Sequence, residues 1–133
     1  MILSAKEMLV DNQEDHEIKF DVSGIGHESR GPIMGFKIER VLIPSHIALD
    51  FIVTGLWVDR KGDKDGNRRR HLMLGNGELS AVAFSETSFP LAGFEDDVEP
   101  LREGDSVVLR FKSTRTNKSR ISACILGRVI RLA

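Results

Sequence analysis

Tyrosine is absent from this chain, and cysteine and tryptophan each occur once in its 133 residues. A lone Cys124 excludes an internal disulfide, and in the apolar run "ISACILGRVI" it reads as a small core hydrophobe rather than a reactive thiol. The aromatic supply is then seven Phe and Trp57, nearly all inside apolar runs. That leaves no evident exposed platform on which bases or sugars would stack.

Long uninterrupted apolar stretches are missing as well. The most apolar segment, Val41 to Val58, is broken by Pro44, Ser45, His46 and Asp50, well short of the roughly 20 residues a membrane helix needs. A single buried helix is disfavoured too, because an interior Pro44 would cost about 3 kcal/mol and Gly55 about 1 more. The N-terminal residues lack a basic start, a continuous apolar core and a small-residue cleavage site. A protein that stays in the cytoplasm, or joins an assembly built there, is the expectation.

What remains is β-strand chemistry. A chain of this length supports one core, which can bury roughly two thirds of the unfolded surface. "EIKFDV" (Glu17 to Val22) alternates as Ile18, Phe20 and Val22, and "GFKIERVLI" (35–43) and "LDFIVTGLWV" (49–58) are rich in β-branched and aromatic residues. In the latter, simple alternation puts Leu49, Phe51, Val53 and Trp57 on one face and Ile52, Leu56 and Val58 on the other, with Gly55 marking a bulge or a close backbone approach. "PSHIA" reads as a connector, "HLML" and "ELSAVAF" as a hairpin around Gly75-Asn76-Gly77, residues 85–105 as an acidic crossover, and "SVVLRFKS" with "SRISACILGRVIRL" as a closing hairpin. Residues 1–15 are expected as an N-terminal arm and 16–133 as one domain. The fold class is an all-β antiparallel sandwich, jelly-roll-like, of seven to eight strands, with an oligonucleotide-binding-type barrel as the alternative.

Motifs for catalysis and ligand capture are weak. "SGIGHESRGP" has Ser29 where a dinucleotide fingerprint needs its third glycine. "KGDKDGN" resembles a calcium loop, but Lys61 and Leu72 stand where carboxylates are required. The four histidines are scattered, and Ser45, His46 and Asp50 are chain neighbours that rarely converge as a triad. No enzyme activity, catalytic residue, metal or cofactor is nominated.

Charge, by contrast, is segregated behind a net of −1. Glu7, Asp11, Glu14, Asp15, Glu17 and Asp21 form one acidic block and residues 95–105 another, whereas everything after Asp105 carries bases and no acid. The candidate interaction residues are Arg68, Arg69 and Arg70 in a polar loop, Arg115, Lys118 and Arg120 in the closing hairpin, and Asp96, Asp97 and Glu99 in the crossover. They support either protein contacts between oppositely charged surfaces or a basic groove for nucleic acid built from 68–70 and 110–120.

One resemblance sharpens the choice. The series Ile43-Pro44-Ser45, Ile47-Ala48, Asp50-Phe51-Ile52-Val53, Phe84-Ser85-Glu86 and Gly104-Asp105 resembles small single-jelly-roll structural proteins of tailed-phage virions. The resemblance implies a capsid decoration or minor structural subunit of a bacteriophage, located in the virion. Its partners would be further copies of itself as a homo-oligomer and other virion proteins, with no membrane partner; nucleic acid is the alternative.

Overall fold

Segments of alternating polarity pair into eight antiparallel strands in the computed structural model, which describes residues 2–24, 34–61, 70–71, 78–86 and 99–132. They are β1 (Ile2–Val10), β2 (His16–Asp21), β3 (Met34–Leu42), β4 (Phe51–Asp59), β5 (Arg70–His71), β6 (Leu79–Ser80), β7 (Ser106–Ser113) and β8 (Ser119–Arg131). One sheet has the order β1-β8-β3 and the other β2-β7-β4-β5, with β6 also on β4. The sheets stack as a sandwich and do not close into a barrel.

This strand order is a jelly roll. The chain pairs β1 with β8, β2 with β7 and β4 with β5, so β1 to β4 alternate between the sheets as a folded antiparallel ribbon wraps around the core. On the free side of β3, Phe36 and Leu101 exchange both backbone hydrogen bonds, at 2.7 and 2.8 Å. Leu101 therefore occupies the place of a fourth strand in the first sheet.

The core lies between the inward faces, where Phe20, Phe36, Phe51, Phe111, Leu56, Leu109, Ile121 and Ile125 are fully buried. Phe51 and Phe111, from neighbouring strands, meet edge to face with ring centroids 5.8 Å apart. At about 1.5 to 3 kcal/mol for each large apolar side chain removed from water, this layer supplies the main driving force for the fold.

Several expectations are corrected. Residues 2–10 are not an arm: they form edge strand β1 and bury Val10 completely. "PSHIA" contains a short helix, α1 (Ser45–Ala48), and "ELSAVAF" is only a two-residue strand running into a 3-10 turn, Ala81–Phe84, capped by the Ser80 hydroxyl. In β4 a bulge between Val53 and Gly55 reverses the alternation. Phe51, Val53, Leu56 and Val58 consequently all point inward, and Trp57 goes to the outer face rather than sharing a face with Phe51. Gly55 makes this possible, because a Cβ there would lie 2.1 Å from the Trp57 ring that folds across it. The expected turn at 75–77, the loop at 62–69 and most of the acidic crossover (87–98) lie outside the described residues.

Candidate functional site

The closing hairpin does not gather its bases into one groove, because in a jelly roll its two strands belong to opposite sheets. Arg110 and Lys112 point outward from β7: Arg110 sits 4.6 Å over the Trp57 ring, donates to the Thr54 hydroxyl at 3.3 Å and lies across from Glu17, while Lys112 pairs with Glu78 at 2.9 Å. That hydrogen bond to Glu78 is the main reason the Lys112 ammonium holds its proton to higher pH than usual. Arg120 emerges on the other sheet, where it pairs with Glu7 of β1. Arg115, near the hairpin tip, binds Asp50 at 2.7 Å, and Lys118 is exposed.

Of the remaining candidates, Arg68, Arg69, Asp96 and Asp97 lie outside the described residues, and of Arg70 the backbone position is described, paired with Val58. Glu99 is exposed, and its carbonyl accepts from Arg60 at 3.0 Å. Ser45, His46 and Asp50 do not converge as a triad: the Ser45 hydroxyl donates to Glu86, and Asp50 is engaged by Arg115. This hydrogen bond from Ser45 is the largest cause lowering the Glu86 pKa.

Sequence reasoning missed two clusters. The first is centred on Asp105, which is nearly buried and accepts from the Lys61 and Arg102 amides at 2.8 Å each and from the Arg60 guanidinium at 3.0 Å. Arg60 also donates to the carbonyls of Glu99 and Pro100. This hub clamps the exit of β4 to the entry of β7. Gly104, at φ 92°, makes the turn that delivers the carboxylate.

The second is the outer face of the β1-β8-β3 sheet. Inward residues of β8 (Ile121, Ala123, Ile125) are buried, so Arg120, Ser122, Cys124, Leu126, Arg128 and Ile130 point outward, next to Glu7 on β1 and Lys37, Arg40 and Leu42 on β3. A cavity of about 280 Å³ opens here, lined by Ala5, Lys6, Glu7, Leu42, Pro44, Ser122, Ala123 and Cys124. Partial burial raises the Cys124 thiol pKa, only partly opposed by the nearby Arg40 charge. Lys37 and Arg128 stand directly opposite each other in the register. Alternating strand faces, combined with the non-local pairing of β3 with β8, would have been needed to find this pair.

Among the described residues no cluster of three or more His, Cys, Asp or Glu is arranged to hold a metal, and no helix is long and apolar enough to cross a membrane. The fold and these surfaces define the class as an antiparallel jelly-roll sandwich whose hairpin bases are spread over both sheets and paired with acids. Comparison with protein-family models, curated proteins and solved structures found no match.

Proposed function

We propose that this chain is a structural subunit of a virion-type particle, acting by self-association and by docking on a larger protein shell rather than by catalysis. A jelly roll hosts many functions, so the fold alone does not carry this reading. Its main support is the dispersal of the closing hairpin's bases onto opposite faces of the sandwich, with Arg110, Lys112, Arg115 and Arg120 each beside an acid or a hydrogen-bonding partner. A phosphate-tracking groove needs such bases aligned along one path, whereas protein contacts use charge distributed over several faces. The phage-virion likeness noted in the sequence agrees with this reading.

The test is light scattering coupled to size-exclusion chromatography, with fluorescence anisotropy against a labelled single-stranded oligonucleotide in parallel. Assembly beyond the 14.8 kDa monomer that weakens with salt, without oligonucleotide binding at low salt, is the expected result. A monomer that binds the oligonucleotide with a steep salt dependence would replace this reading with the nucleic-acid one.

A further inference from the structure

Among the described residues, Lys37 of β3 and Arg128 of β8 set two like charges directly opposite each other. Like charges directly opposite on adjacent strands repel and destabilise a sheet. Here both residues project from the outer face of β1-β8-β3, and neither forms an ion pair among the described residues. Leu126 and Ile130, half-buried, flank Arg128 on the same face. A cationic pair set among half-covered apolar groups fits a carboxylate-bearing protein surface better than a bare phosphate chain, which would leave the apolar groups without a partner.

The same chain carries such a surface. Asp11, Glu14 and Asp15, in the connector between β1 and β2, are all exposed, and just before them Leu9 of β1 is an exposed apolar side chain. Val10, just before that connector, pairs with Ser119 at the start of β8, whereas Lys37 pairs with Arg128. From Ser119 to Arg128 the strand runs about 30 Å at ~3.3 Å per residue. The acidic connector and the cationic pair therefore lie toward opposite ends of the sandwich and cannot meet within one copy.

We propose that Lys37 and Arg128 of one copy receive the Asp11–Asp15 connector of the next, a heterologous head-to-tail contact that generates a ring if the rotation closes and a filament if it does not. This rests on the self-association reading above and adds which surfaces meet.

The test uses two double variants of the full chain, K37E/R128E and D11K/E14K, and sedimentation velocity. Neither substitution pair touches the core, and an unchanged circular dichroism spectrum and melting temperature verify folding. Each variant alone presents like charges at both ends, so each should lose assembly, with an apparent dissociation constant raised on the order of 100-fold or more. Mixed in equal amounts, they again present opposite charges at every junction, and assembly should return. Assembly of the wild type that survives K37E/R128E, or two inactive variants that stay monomeric when mixed, would overturn this contact while leaving self-association standing. A wild type that is monomeric at every concentration and low salt would remove both. Loss of oligonucleotide binding in K37E/R128E, from a monomeric wild type, would reassign the pair to phosphate.

Discussion

Removing the Asp105 carboxylate should destabilise the protein more than any other single surface-proximal change. Its side chain is only 7% exposed and satisfies three donors, two of them backbone amides. In Asp105→Ala the amides of Lys61 and Arg102 lose their acceptor, at about 1 to 3 kcal/mol for each that stays buried. The Arg60 guanidinium loses its counter-ion, but it is 31% exposed and water compensates in part. The sum is about 3 to 5 kcal/mol, in line with removal of one partner of a largely buried pair. Asp105→Asn, which keeps one acceptor oxygen, should cost about 1 to 2 kcal/mol, and Arg60→Met about 1. Urea unfolding monitored by circular dichroism measures all three, and the Arg60→Met/Asp105→Ala double variant should lose less than the two singles added. A loss under about 1 kcal/mol for Asp105→Ala would refute the claim that this hub holds β4 to β7.

The remaining predictions concern single contacts. Gly55→Ala should push the Trp57 indole off the sheet, shift its fluorescence to longer wavelength and cost about 1 to 3 kcal/mol, because overpacking forces side chains from their rotamers; unchanged emission would show that the ring does not lie over Gly55. The Glu86 carboxyl should titrate below the usual glutamate range by NMR, because the Ser45 hydroxyl donates to its carboxylate, and should move back up in Ser45→Ala. Since its folded pKa is depressed, any stability from this contact is present above the unfolded pKa and disappears as pH falls through the folded one. Cys124, whose thiol is raised by burial, should react with a disulfide reagent at pH 7 more slowly than free cysteine, and a faster reaction would contradict the environment described.

Much of the architecture was legible because strand faces announce themselves two residues apart. Ile18 and Phe20, or Phe51 and Val53, are inward residues that alternation alone places correctly. Simple alternation misplaces Trp57 because one bulge residue shifts the register of everything after it, and Gly55 marks the site of that bulge without revealing its direction. β1 was hidden for another reason. Of residues 5–10, Met8 and Val10 pack against the core, while Lys6, on the same side of the strand, stays exposed and reaches across the open edge to the Lys19 carbonyl of β2. An edge strand with a lysine directed to its core side has a weak apolar signal, and that same lysine discourages unwanted edge pairing. Sequence proximity presents the bases of 110–120 as one surface and conceals that β7 and β8 lie in different sheets. Lys37 and Arg128, far apart in sequence, carried no signal until the pairing of β3 with β8 brought them opposite each other.

Zero-length carbodiimide cross-linking of an equal mixture of nitrogen-15-labelled and unlabelled protein addresses head-to-tail self-association most directly. Lys37 is too far from Glu14 and Asp11 to be joined to them within one copy, so a Lys37–Glu14 or Lys37–Asp11 linked peptide carrying one labelled and one unlabelled half is the predicted product. Cross-linked species that contain only intramolecular links, at protein concentrations well into the micromolar range and at low salt, would contradict the account.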